Sequence, residues 1–242
     1  MRKNVTSFRF IVGRIMFIGS SAVAPSTNLG FYYTSGGRND IWAVMDEAVK
    51  RKTGENPGFV KLIEEYKAIG EQLSEQELST IADLLSQDKF LADADDSSET
   101  PRLQRMAAIQ RIILARMERY GFGFADAISG CSMTGTSDQS RKDGKYNKDL
   151  ADLLRDVDVV VINGAKTNKN KKGAYRSFKI ALGIDGVRHN AEYDELKKKH
   201  HIIDDLPSTS GQAGRTKEHP NLNRKTKIDK WVDAIQDFIK IK

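Results

Sequence analysis

The sequence predicts an α/β fold: a three-layer αβα sandwich with a short, mostly parallel central sheet and a helical insertion. Two apolar runs rich in β-branched residues carry the sheet, Ile15 to Ile18 and Val157 to Ile162 (VDVVVI). Neither alternates with polar residues, which suits central strands covered on both faces. Each leads into a loop or a helical pattern, so strands and helices alternate along the chain. From about 53 to 118 the pattern is almost purely helical.

Taken in order, Phe122 to Ile128 is a further candidate strand and His201 to Leu206 a shorter one. Within the helical stretch, Ser74 and Glu77 have capping-box spacing ahead of Leu78, Ile81, Leu84 and Leu85. Leu103, Met106, Ile109, Ile113 and Met117 form a second stripe, and the acidic linker Asp93 to Pro101 separates the two. Both stripes read as helix-packing surface. Near the C-terminus, Ile228, Trp231, Val232, Ile235, Phe238 and Ile239 recur at helical spacing and should pack one face on the sheet. The organisation expected is one domain over 1–242, with the insertion at about 53–118.

A chain of 242 residues with 39% hydrophobic content can bury a full core. Its 39 Lys and Arg against 33 Asp and Glu give a formal charge of +6. The excess is clustered, at Lys166 to Lys172, at Lys197 to Lys199 and from Arg215 to Lys230, which points to a polyanionic partner. Arg2 and Lys3 precede an apolar stretch ending in Ala22-Val23-Ala24, but Arg9 and Arg14 interrupt it, so no signal-type core of about 7 to 15 apolar residues exists. No run approaches the roughly 18 apolar residues of a spanning helix. Cys131 alone cannot form an intrachain disulfide. His189, His200, His201 and His219 lack metal-ligand spacing. Gly121-Phe122-Gly123 is no dinucleotide fingerprint, because the third glycine position holds Asp126, and there is no P-loop. The expectation is a cytoplasmic monomer that binds DNA, uses no metal or cofactor, and has no membrane association.

Two segments carry the chemistry. Gly19 to Trp42, GSSAVAPSTNLGFYYTSGGRNDIW, follows the first strand and packs small loop residues, adjacent tyrosines and an Asn at a helix start into one stretch. Tyr32 and Tyr33 are core or rim aromatics, or a ring on which a nucleobase stacks. Asn39 can cap the helix that follows, and an amide there can also orient a water beside the positive end of the helix dipole. The second segment, LPSTSGQAGR at Leu206 to Arg215, can present hydroxyls and backbone N–H groups to an anion.

Together these segments resemble the uracil-DNA glycosylase superfamily, in which a strand-end loop, a stacking aromatic and an N-x-[FI]-W helix start build the pocket for a flipped base. YGFGFADAISGCSMTGTSDQS (Tyr120 to Ser140) and VVVING (Val159 to Gly164) agree in order, and LPSTSGQAGR is similar to the DNA-clasping motif. The mismatch-specific and hypoxanthine-type branches are nearest in style. The resemblance implies catalytic roles for Asn39 and Asp126, base contacts from Ser20, Ser21, Tyr33 and Asn163, and DNA contacts from Ser208, Thr209, Ser210, Gln212 and Arg215. This chain departs from it in having Ser20, Ser21 and Ala22 where other branches place an Asp or Asn, and Leu206 where the uracil-specific branch places a His. The missing first-loop amide, with Asp126 at the base and Gly36-Gly37 beside the tyrosines, leaves room for a base larger than uracil.

The activity so implied is hydrolytic excision of a deaminated or modified base, leaving an abasic site. The alternatives are a defence glycosylase that removes a hypermodified cytosine, such as a glucosylated hydroxymethylcytosine, and a non-catalytic sensor of modified DNA.

Overall fold

The structure is a computed structural model that describes residues 3–6, 9–20, 29–34, 39–94, 100–133, 141–164, 173–184, 190–209 and 222–241. In chain order its elements are β1 (Lys3–Thr6), β2 (Ile15–Gly19), α1 (Ile41–Thr53), α2 (Phe59–Gly70), α3 (Glu75–Ser86), α4 (Pro101–Tyr120), β3 (Phe122–Asp126), β4 (Ile128–Met133), β5 (Arg141–Tyr146), α5 (Leu150–Leu153), β6 (Val159–Ile162), α6 (Ala174–Ala181), α7 (Asn190–Lys199), β7 (His201–Ile203) and α8 (Arg224–Ile235).

A four-stranded sheet in the order β3-β2-β6-β7, parallel at every pairing, forms the middle layer. Alternate residues of each strand face opposite layers, as the pleat requires. Ile15, Phe17, Phe122, Phe124, Val159 and Val161 meet α1 to α4 and α8 on one side. Met16, Ile18, Ala125, Val160, Ile162 and Ile202 meet Leu150, Phe178 and Tyr193 of α5 to α7 on the other. This is the expected αβα sandwich, and burial on both faces explains why the strand sequences do not alternate.

β2 covers its apolar run and adds Gly19, whereas β3, β6 and β7 are shorter than theirs. Val157 is buried ahead of β6, and β7 ends at Ile203, three residues before Leu206. The run expected to continue to Ile128 breaks at Ala127, where the chain leaves the parallel sheet and enters β4. There it joins a second, antiparallel sheet, β1-β4-β5, which the sequence reading did not anticipate.

In the helical stretch, the Ser74 hydroxyl accepts from the Glu77 N–H at 3.3 Å and Glu77 accepts from the Ser74 N–H at 2.8 Å, completing the capping box. Thr100 caps α4 ahead of Pro101 and donates its hydroxyl to the same Glu77 carboxylate. Asp46, from α1, accepts the first amides of α2, from Phe59 at 2.7 Å and Val60 at 2.9 Å. Phe59, Ile63 and Tyr66 of α2, Ile81 of α3 and the α4 stripe share one apolar cluster with α1 and the sheet. Gln110 of α4, fully buried, donates to the Tyr66 hydroxyl at 2.8 Å and the Gly30 carbonyl at 3.2 Å, and accepts from the Ala92 N–H at 3.0 Å.

Ahead of β2, residues 11–13 lie against the outer strand of the sheet, with Ile11 and Phe124 exchanging backbone hydrogen bonds at 3.0 and 2.8 Å. Any side chain at Gly123 would collide with the Ile11 carbonyl and the Met16 sulfur, so the close crossing depends on that glycine. No described helix is long and apolar enough to cross a membrane.

Candidate active site

From β2 the chain passes first to β3 on one side and later to β6 on the other. The connections therefore diverge at the β2/β6 boundary, and in open parallel sheets the crevice at such a switch point lies beyond the carboxyl ends of the strands. The residues at those ends are Gly19 closing β2 and Ser20 after it, Asp126 closing β3, Asn163 after β6, and the 204–209 segment after β7.

Asn163 joins these pieces. Its backbone N–H continues the ladder to the Ile18 carbonyl at 2.9 Å. Its side-chain oxygen accepts the Thr209 N–H at 2.9 Å and the Thr209 hydroxyl at 3.1 Å. A backbone N–H can only donate, so it fixes the amide's orientation and turns the NH2 group toward Tyr33, whose hydroxyl oxygen accepts at 3.2 Å. One side chain thus links loops 176 residues apart in sequence, the difference between 209 and 33.

Tyr33 sits at φ 53°, a left-handed conformation that is rare for an aromatic residue. Such a residue typically costs about 1–3 kcal/mol and persists where its surroundings over-determine it. Here the surroundings are the Asn163 bond and the Phe124 ring, met edge-on at 5.2 Å between centroids. Tyr32, 2% exposed, packs on the same Phe124 ring.

Asp126 is buried, 4% exposed. A Cβ at Gly19 would stand 2.5 Å from its Oδ1 and 3.3 Å from the Tyr33 hydroxyl, so these two groups crowd around Gly19 and a side chain there would displace the Asp126 carboxylate. Burial, and then the negative charge of Asp126, push the Tyr33 hydroxyl well above the ordinary tyrosine range, with the Asn163 amide acting weakly in the opposite direction. Burial and Asp126 raise Tyr32 in the same sense. Both hydroxyls stay protonated at neutral pH.

Asn39 is half-buried at the start of α1 and accepts the Ile41 N–H at 3.0 Å. Capping is therefore shared: Asp40 occupies the boundary position without a side-chain cap bond, and Asn39 supplies the acceptor from one residue earlier. The Asp40 N–H donates to the Thr209 carbonyl at 2.9 Å, tying the Asn39 end of α1 to the same loop that holds Asn163.

The structure thus brings Tyr33, Asp126, Asn163 and Thr209 into one neighbourhood, with the Asn39–Asp40 turn bonded to it. Thr209 is fully buried and faces Asn163, while Ser208 beside it is part-exposed. Ser20 is part-exposed, and its carbonyl accepts the Ile128 N–H at 3.1 Å. Ser21, Ser210, Gln212 and Arg215 lie outside the described residues, as does the Lys166 to Lys172 cluster. The sequence reading missed Lys227 and Asp40, which pair at 2.7 Å with side chains 5% and 2% exposed. A signal was present: Lys227 falls on the buried stripe of α8, four residues before Trp231 and eight before Ile235. Among the described residues, no three or more His, Cys, Asp or Glu side chains gather as metal ligands.

No protein-family profile matches the chain, and no curated protein does. Among solved structures it is similar to a "Solution NMR Structure of a putative Uracil DNA glycosylase" from Methanosarcina acetivorans, with a TM-score of 0.48 and 16% identity over 98% of each chain.

Proposed function

We propose that the chain is a monofunctional DNA glycosylase, taking a flipped, non-standard base at the carboxyl ends of β2, β3 and β6 and hydrolysing its N-glycosidic bond. The observation that supports this best is the Tyr33–Asn163–Thr209 linkage. It joins an aromatic loop to a hydroxyl-bearing loop at the switch point of the sheet, with the Asp126 carboxylate alongside.

Hydrolysis of this bond needs charge stabilisation at an oxocarbenium-like sugar and at the departing base, together with a positioned water. Asn39 suits the last task, since an amide can donate and accept but is too weakly basic to remove a full proton. The α1 N-terminus beside it favours the negative charge that develops on the leaving base. Asp126, as an acceptor, favours bases that offer an exocyclic amine or ring N–H. Extrusion from the duplex costs a few kcal/mol, recovered by stacking and pocket contacts. Ser208, with Ser210, Gln212 and Arg215, would hold the backbone on either side, while α2 to α4 buttress α1 as an insertion on the glycosylase core. The candidate bases are uracil, hypoxanthine and modified cytosines, the last consistent with a role in defence.

The test is a panel of single- and double-stranded oligonucleotides carrying each base, incubated with the protein and then treated with alkali to break abasic sites. Strand breaks confined to one or a few modified bases are expected. Salt-sensitive binding to these DNAs without breaks on any of them rejects the enzyme in favour of a non-catalytic sensor. The sensor reading draws its support from the Asn39 carbonyl oxygen, which is already engaged as a cap.

A further inference from the structure

Thr209 is bonded through both of its faces. Its N–H and hydroxyl hold Asn163, and through it Tyr33. Its carbonyl accepts from the Asp40 N–H at 2.9 Å and from the Lys227 ammonium at 3.3 Å. Lys227 in turn pairs with Asp40 Oδ2 at 2.7 Å, and Arg224 Nε bonds Oδ1 of the same carboxylate at 2.9 Å. Two residues upstream in the same loop, the Pro207 carbonyl accepts from Trp231 Nε1 of α8 at 2.8 Å. The 207–209 segment is thus clamped to α8 on one side, to the start of α1 on a second and to the end of β6 on a third.

A Lys–Asp pair this deeply buried is a poor device for stability alone, because desolvation of two charges offsets much of their attraction and apolar residues of similar size often do as well. Lys227 lies on the stripe shared with Trp231 and Ile235, a position where an aliphatic residue would pack. What an aliphatic residue could not do is bridge a carboxylate on one segment and a carbonyl on another, and so fix their separation.

We infer that Lys227, Asp40 and Thr209 are positioning residues: together they set the Asn39 turn against the Tyr33 ring, so that docking of the loop at Ser208 is coupled to the geometry of the base pocket. This rests on the glycosylase reading of the site. Arg224, exposed and held on Asp40, extends the unit to the surface from which DNA would approach.

The experiment compares Lys227→Met, Lys227→Arg and Thr209→Val with the wild type. It measures single-turnover excision at saturating protein, the Kd for the same DNA, and the side-chain amide resonances of Asn39 and Asn163. Lys227→Met is expected to lower the single-turnover rate about tenfold to a hundredfold, the scale of a misplacement of roughly 1 Å. Its Kd should stay within about threefold, because Lys227 is buried and touches no phosphate. The two amide resonances should shift, and Lys227→Arg should restore part of the rate. Should Lys227→Met fail to fold, Thr209→Val carries the same readouts, since it removes one hydroxyl at nearly constant shape. A wild-type rate with unmoved amides in a folded variant overturns the inference, as does a loss confined to Kd. If the wild type excises no base at all, the glycosylase reading fails, and unmoved amides would then independently reject the brace.

Discussion

At the scale of single residues, the two atoms that matter most are the carbonyl oxygen of Asn39 and the hydroxyl of Tyr33. Asn39→Ala removes both a helix-start acceptor and the proposed water-orienting amide. We expect excision to fall by roughly tenfold to a thousandfold and stability by about 1 kcal/mol, read by single-turnover assay and thermal melt. If stability falls but the rate does not, Asn39 is a cap only. Tyr33→Phe keeps the ring on Phe124 and strips the acceptor from the Asn163 amide, so an NH2 group is left facing carbon. At this part-buried site that should cost about 0.5–1.5 kcal/mol in a denaturant titration. Asn39 and Tyr33 were legible in the sequence because a helix start and an aromatic before a glycine pair leave local signatures. Thr209's inward turn was not, since a Ser/Thr/Gly loop reads the same whether its hydroxyls face an anion or a neighbouring side chain.

Elements assemble here through polar side chains that cross between them. Gln110 on α4 satisfies groups from α2, from the Gly30 turn and from the backbone at Ala92. Gln110→Leu would strip all three groups of their Gln110 bond, while the Tyr66 hydroxyl keeps its bond to the Leu29 carbonyl, and each group left short of a buried partner costs about 1–3 kcal/mol. We expect a melting-temperature loss of several degrees or more, with α2 and α4 amides losing hydrogen-exchange protection first. Helical elements were legible because Ser74 with Glu77, and Leu103 through Met117, carry start signals and a 3.6-residue period. The second sheet was not: β5 reads RKDGKY and β4 ISGCSM, polar and glycine-bearing segments whose pairing is decided by partners far along the chain.

The whole molecule should answer to pH through its tyrosines. Tyr32, Tyr33, Tyr66 and Tyr193 are all raised above the ordinary tyrosine value of 10.0, burial being the largest cause in each. A group raised in the folded state contributes stability that is fully present below its unfolded value and is lost as pH climbs toward the folded one. Stability should therefore hold to about pH 10 and decline above it. The tyrosinate absorbance of these four should rise in one cooperative step together with loss of circular dichroism. A separate, gradual titration of these residues in a still-folded chain would contradict their burial.

The crossing of residues 11–13 over Gly123 has a consequence for life at high concentration. β3 is an outer strand of the sheet, and such a strand offers its unpaired amides and carbonyls to any other chain that meets it. The Ile11 exchange with Phe124 occupies that margin from within. Gly123→Ala, by lifting the strap, should leave a protein that joins its own copies edge to edge on gentle warming, with light scattering rising well before the helices melt.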